Sequence, residues 1–379
     1  MTEKPPIPVF QPHVGVDTIK AVVDALHAGW LGMGALTQSF EQGLAAFLEL
    51  RDRYVLATNT GTSALHLGLL AAGVGPGDEV ITPAFNFVAD HQAIVATGAM
   101  PVLCDVDEIT LGLDPDKAAA LIGPKTKALL PLHFGGVPGR VKELYALAER
   151  RGLRVVEDAT HAFGSRADGR AIGSFGDIAC FSFDPVKVIT SIDGGAVVVG
   201  DRELLERLRQ WRFLGIDRET HERYKNSRAW EYDVVGQGFR YHLTNVNAAI
   251  GLSQLARAGE FIAGRRASCR LYNERLAGIA EVRRPATDFT DVAPFIYTVR
   301  VATERREALI EHLKLRGIAT GIHFLPAQDF SFFKDCRRGD LGVTERVTRE
   351  ILTLPLHTLM APALVERVTA AIREFFGAR

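Results

Sequence analysis

Cysteine is scarce in this 379-residue chain: Cys104, Cys180, Cys269 and Cys336 are widely spaced and form no CxxC pair, so neither a zinc site nor a disulfide framework is signalled. No run approaches the roughly eighteen unbroken apolar residues of a membrane-spanning helix. The N-terminus has no basic-then-apolar secretion pattern. Neither sign of charge is in excess, since 44 Lys and Arg oppose 45 Asp and Glu for a net charge of −1. Nothing therefore marks a binder of nucleic acid or of an anionic membrane surface. Internal repeats and low-complexity segments are missing too. What remains is a cytoplasmic protein with a small polar metabolite as its ligand, long enough for two or three average domains.

The segment Cys180 to Val197, CFSFDPVKVITSIDGGAV, sets Lys187 in an apolar surround that Phe181, Phe183, Pro185, Val186, Val188 and Ile189 could supply. A lysine becomes a nucleophile when desolvation or a neighbouring cation disfavours its charged form. A lone lysine in such a run is more often a core-edge residue whose methylenes cover apolar surface. Upstream, however, LRVVEDATHAFG sets Asp158 at the carboxyl end of an apolar strand, where ligand-contacting groups of open α/β sheets sit. Pyridoxal phosphate chemistry needs a lysine to hold the aldehyde as a Schiff base and a carboxylate to keep the pyridine nitrogen protonated. Lys187 and Asp158 can fill both roles. A third part, NTGTSALHLGLLAAG, follows a strand at Tyr54 to Ala57 and opens a helix with Leu65, Leu69 and Leu70 on one face. Gly61, Thr62 and Ser63 at its N-terminus offer backbone N–H groups and hydroxyls suited to a phosphate. The plain alternative is a capped helix, with Thr62 or Ser63 as the cap.

With lysine, carboxylate and phosphate cradle in hand, the segments GTSALHLGL, GDEVITPAFNFVA, GAMPVLCDVD, VVEDATHAFGS, GDIACFSFDPVK and GFRYHLTNVNAAIGLSQL resemble those of the DegT/DnrJ/StrS family of nucleotide-sugar aminotransferases. The likeness runs from Ile7 to the closing LTLPLH, Leu352 to His357. It implies a fold-type-I transferase dependent on pyridoxal 5′-phosphate, acting as a homodimer with sites at the subunit interface. It further implies L-glutamate as donor, 2-oxoglutarate as its product, and a role in amino-sugar biosynthesis for a surface polysaccharide such as an O-antigen, or for a glycoside. Phe87 matches the position whose ring lies over the pyridine, His161 a Gln-or-His position beside it, and Ser182 a phosphate contact. Arg240 stands where Asn is commoner in the family, at a position that reaches the partner's cofactor phosphate. Phe85 is assigned to the core, and His133 to a structural hydrogen bond. His323 and Gln328 lie where the family often has a histidine pair. GFRYHLTN is closer to members that aminate C4 of a nucleotide-linked 4-keto-6-deoxyhexose than to C3 enzymes, which are the alternative. The nucleotide is not legible.

The remaining pattern alternates strand and helix, which argues for a mostly parallel sheet covered by helices on both faces. Prolines at 5, 6, 8 and 12 make residues 1–12 an extended arm of a kind that often crosses to a partner subunit. Helical periodicity follows from Val16 to His27 and again through Phe40, Leu44, Phe47 and Leu48. Between them the glycine-rich loop GWLGMG presents Trp30 and Leu31, and Trp30 could stack on a sugar or base. A long helix is expected from Asn247 to Ala263, with the boundary between a large domain and a small α+β domain near residue 255. PFIYTVRV and GIATGIHF are the expected strands of that small domain. Two rival classes have weaker support. GVGPGDEV precedes a strand and lacks the spacing of a dinucleotide-binding loop, and a non-catalytic regulator would not need Asp158, His161 and Lys187 together.

Overall fold

The computed structural model describes residues 5–217 and 231–378. Its strands are β1 (Tyr54–Thr58), β2 (Glu79–Pro83), β3 (Met100–Cys104), β4 (Thr126–Leu129) and β5 (Arg154–Asp158), then a small ribbon of β6 (Arg166–Ala167) and β7 (Arg170–Ala171), then β8 (Ile178–Ser182) and β9 (Gly195–Val199). Seven of them form one sheet in the order β1-β9-β8-β5-β4-β2-β3. Only β9 in this sheet runs against its neighbours; the remaining pairs are parallel. The carboxyl ends of β1, β5 and β8 therefore meet the amino end of β9 at one edge. In an open α/β sheet that edge is where ligands bind.

Helices α1 (Val16–His27), α2 (Ala35–Phe47), α3 (Gly61–Ala71), α4 (Val88–Ala96), α5 (Pro115–Leu121), α6 (Val141–Arg151) and α7 (Arg202–Arg212) cover the sheet. Their bounds follow local chemistry. In α6, Val141, Leu144, Leu147 and Ala148 form the buried stripe, and Gly152 closes it at φ 63°, a left-handed cap that suits glycine. For α5, Asp114 accepts the N–H groups of Asp116 and Lys117, and Pro115 starts the first turn. The helix α3 departs from the single apolar face expected of it: Ala64, Leu67 and Gly68 are buried along with Leu65 and Leu69. It is sandwiched between the sheet, α4 and α7, so past Thr62 only Leu70 stays partly exposed.

Past residue 230 lie α8 (Asn245–Leu255), α9 (Ala258–Arg275), β10 (Tyr297–Arg300), α10 (Thr303–Lys314), α11 (Gly342–Glu350), β11 (Ile351–Leu354) and α12 (Pro362–Phe376). The long helix expected from Asn247 to Ala263 is thus two helices. Arg257 leaves helical geometry at φ −109° and ψ 4°, and its guanidinium turns to Glu260 in the first turn of α9. GIATGIHF is also not the expected strand. Its backbone bridges β11 at Gly321, bonded both ways to Thr353, while β11 itself pairs with β10. Gly317 sits at φ 68°, a conformation that no continuous strand adopts. The arm is extended as expected, but where described it lies on its own chain: the Ile7 N–H donates to the Gly317 carbonyl and the Leu356 N–H to the Val9 carbonyl. Burial of Ile7 in the C-terminal core holds it there. Of the charge-rich stretch Asp217 to Glu231, residues 218–230 lie outside the described residues.

Candidate active site

At the sheet edge named above, a cavity of about 310 Å³ opens over Lys187, Asp158 and the start of α3. Asp158 ends β5, is 4% exposed, and accepts the Thr160 N–H at 2.8 Å. Lys187 lies in the turn after β8, where its N–H donates to the Asp184 carbonyl, and its Nζ stands 4.2 Å from the centre of the Phe295 ring. Burial pulls the Lys187 amine down to about 8, against the opposing pull of Asp158, Asp184 and Asp90. The apolar surround differs from the expected one. Phe181, Phe183 and Ile189 pack into the core on another side, and Phe10, Phe295 and Phe324 line the cavity with Val186 instead. Side chains from the arm and from the C-terminal half thus cover a lysine from the middle of the chain.

Across the cavity, α3 begins as an anion cradle. Thr60, not Thr62 or Ser63, is its N-cap: the Thr60 hydroxyl accepts the Ser63 N–H, and the Ser63 hydroxyl accepts the Thr60 N–H. Ser63 is thereby consumed by the cap and does not line the cavity, whereas Gly61, Thr62 and Ser182 do. The N–H groups of Gly61 and Thr62 have no acceptor among the described residues. A Cβ at Gly61 would stand 2.7 Å from the Ser182 Cβ, so glycine is what lets helix start and serine close on a common space.

His161 packs on Phe295 with ring centres 4.2 Å apart, and its Nδ1 accepts the Gly135 N–H at 3.4 Å. Burial first, then Lys187, His323 and His133, hold it well below the ordinary histidine range. It is a neutral ring with its proton on Nε2. His323 also lines the cavity, accepts or donates a 2.9 Å bond at Thr353, and is pushed to about 4 by burial and then by Lys187. Phe87 caps α4 at the mouth and is 58% exposed.

The model of the DegT/DnrJ/EryC1/StrS aminotransferase family matches residues 12–373. The chain belongs to this family. Solved structures agree: the aminotransferase TlmJ of Streptoalloteichus hindustanus is 36% identical, with 98% of this chain and 99% of TlmJ covered at a TM-score of 0.90. DesV of S. venezuelae, solved with a ketimine intermediate, is 34% identical over 99% of this chain and 100% of DesV at 0.89. DesI, solved in the presence of its TDP-sugar product, is 30% identical over 98% and 93% at 0.88. Aminotransferases of the DegT/DnrJ family depend on pyridoxal phosphate, and this cavity fits it. A desolvated amine, a carboxylate and a cradle of unpaired N–H groups match the aldehyde, ring nitrogen and phosphate of one small molecule.

Other residues singled out from the sequence fall elsewhere. His133 donates its Nδ1–H to the Pro138 carbonyl, its Nε2 pairs with the Glu157 carboxyl at 2.7 Å, and it does not line the cavity. Phe85 is fully buried, as expected of a core residue. Gln328 lies outside the cavity as well. Trp30, Leu31 and Arg240 share a separate surface pocket with Phe213 and His242, in which the Arg240 guanidinium lies 5.5 Å from the Phe213 ring. Arg240 makes no ion pair with Asp233 among the described residues. The Trp30 Nε1–H donates to the Met33 carbonyl, which fixes the loop while the ring stays 37% exposed. Sequence reasoning missed Phe10, Asn86, Asp90, Phe295 and Phe324. An Asp in the first turn of a helix looks like an ordinary partner of the helix dipole, and distant phenylalanines carry no local signal.

Proposed function

We propose that the chain moves an amino group from L-glutamate to C4 of a nucleotide-linked 4-keto-6-deoxyhexose. The observation that carries the reading is the meeting of Lys187, Asp158 and the α3 N-terminus in one cavity, in a family of aminotransferases. The similarity to DesI, solved with its TDP-sugar product, supports a nucleotide sugar; the motif GFRYHLTN supports C4. Bound pyridoxal phosphate supplies the electron sink for carbanion formation. Lys187 would hold its aldehyde end, and the free amine of Lys187 would be the base that takes the proton from the donor α-carbon. Asp158 keeps the ring nitrogen protonated, and Gly61, Thr62 and Ser182 hold the phosphate. Phe87 would cover a ring face, and His161 would stand beside the ring. The chain acts as a cytoplasmic homodimer, in which Arg240, Trp30 and Leu31 complete the partner's site, and His323 faces the sugar. Residues 1–255 hold the cofactor, and residues 256–379 close over it.

The test is a panel of GDP-, dTDP- and UDP-linked 3-keto and 4-keto sugars with L-glutamate. Nuclear magnetic resonance then locates the new nitrogen. Nitrogen at C4 is expected. Nitrogen at C3, or turnover of free keto acids with no nucleotide sugar accepted, overturns the reading.

A further inference from the structure

Asp90 has no part in the chemistry above, yet it sits in the same cavity. It lies in the first turn of α4, is 1% exposed, and lines the space shared by Asp158 and Lys187. Its Oδ2 accepts the Asn86 Nδ2–H at 2.6 Å, while its Oδ1 has no hydrogen-bond partner among the described residues. A buried carboxylate with one bare oxygen is costly. A second carboxylate at Asp158 makes it costlier, because two like charges in one dry site do not both persist. One proton removes both costs.

We propose that Asp90 and Asp158 form a carboxyl pair that holds one proton, with Asp90 the neutral acid and Asp158 the anion. Asp90 is then a positioning residue that acts through Asp158. A neutral neighbour leaves Asp158 as the one charge offered to the ring nitrogen and keeps that charge from drawing the proton to itself. Burial, followed by the Asp158 charge, moves the Asp90 acid well above the ordinary carboxylate range, with Asn86 and Lys187 pulling the other way. The groups around Asp90 agree. Asn86 precedes α4, Asp158 ends β5, and Lys187 follows β8. The Cys180 thiol of β8 is kept neutral by burial first and then by the Asp158 charge. Lys187 is the single cation named among them, and with Asp184 also in the cavity the carboxyls outnumber it, so a proton on Asp90 lowers the excess negative charge. The pair concerns the cofactor end of the site, so it holds whichever sugar is the substrate.

The experiment uses holoenzyme without sugar and reads the absorbance of the Lys187-bound cofactor against pH. Asp90→Asn is a neutral isostere and should hold that titration to within about half a pH unit, whereas deleting a true anion moves a neighbour by about 1–3 units. Asp90→Leu removes the polar group altogether, and should move the titration by at least about one unit and speed loss of cofactor on dialysis several-fold. Infrared spectra of the unmodified holoenzyme near neutral pH should contain a protonated-carboxyl stretch that Asp90→Asn deletes. That measurement stands even if the Leu variant fails to fold. Three results overturn the pair: no such band in the unmodified protein, Asn displacing the titration as far as Leu, or a folded Leu variant that titrates unchanged.

Discussion

Around Lys187 the walls come from the arm, the starts of α3 and α4, the ends of β5 and β8, and the loops that carry Phe295 and Phe324. Around Arg240 they come from the single loop of residues 29–33 and from Phe213 and His242. The first site is enclosed and its ionisable groups are shifted; in the second, Trp30 is 37% and Leu31 46% exposed. Burial is what makes the difference chemical. A lysine drawn down to about 8 has an appreciable neutral fraction near neutrality, whereas the Arg240 guanidinium stands in the open. The Lys187 site gathers an amine and carboxyls in one cavity of this chain, and the Arg240 pocket presents a cation and a ring at the surface.

The comparison breaks most simply at Lys187. Lys187→Ala should abolish transamination and the absorbance of the lysine-bound cofactor, because no other amine takes its place beside Asp158. Undiminished turnover in a stopped assay would show that the enclosed site is not where the reaction occurs. Asp158→Asn comes next. A buried charge-assisted hydrogen bond is worth about 1.5–3 kcal/mol, so a loss of roughly 10- to 100-fold in kcat is expected. A variant that binds cofactor and turns over like the parent would assign the ring nitrogen to another acid.

A pH profile sharpens the same contrast. Desolvation lowers the folded-state amine of Lys187 from its usual value to about 8, so its neutral, proton-accepting form grows as pH rises through about 8. In the cofactor-free protein the sign for stability follows. Below about 8 the folded state bears the full cost of a buried ammonium, and between about 8 and the ordinary lysine value the unfolded chain binds more protons, so this cost fades as pH rises. His323, at about 4, and His161, held lower than usual by burial, contribute no step near the ordinary histidine value. The rate with saturating donor should therefore climb through about pH 8. A single acid limb centred near 6.5 would instead assign the proton transfer to a histidine.

What the sequence made legible divides along the same line. The parallel sheet, its helices, Lys187, Asp158 and the Gly61–Thr62 cradle all follow from short-range patterns: apolar strands, a strand-end acid, a Gly-Thr-Ser helix start. Residues whose role depends on distant approach were not visible. Phe295 meets Lys187 across more than a hundred residues, and Asp90 differs from a plain dipole partner only once Asp158 lies beside it. Small local choices were also missed. Thr60 wins the cap over Thr62 and Ser63 because it alone keeps extended geometry, at φ −151° and ψ 160°, one residue before the helix. The break at Arg257 has no proline to announce it, and Gly259 in AAIGLSQLARAGEFI was passed over; a side chain that pairs forward with Glu260 accompanies the break.

The smallest effect belongs to the open pocket. Arg240 is exposed, makes no ion pair among the described residues, and rests on its own Phe213. An exposed pair to a surface carboxylate would contribute about 0–1 kcal/mol; a charge-assisted bond to a phosphate contributes more, about 1.5–3 kcal/mol. If Arg240 reaches the phosphate of a partner subunit, Arg240→Ala should speed cofactor loss by several-fold while thermal unfolding of the cofactor-free protein stays in place. Mixing that variant with Lys187→Ala should restore part of the activity. Each mixed dimer then has one site with both Lys187 and Arg240 native and one with neither. Restoration requires that the subunits exchange, which mass spectrometry of the mixture reads directly. Exchange without any recovery, from an Arg240→Ala parent that is itself impaired, would place Arg240 in its own subunit's surface and leave the open pocket without a role at the cofactor.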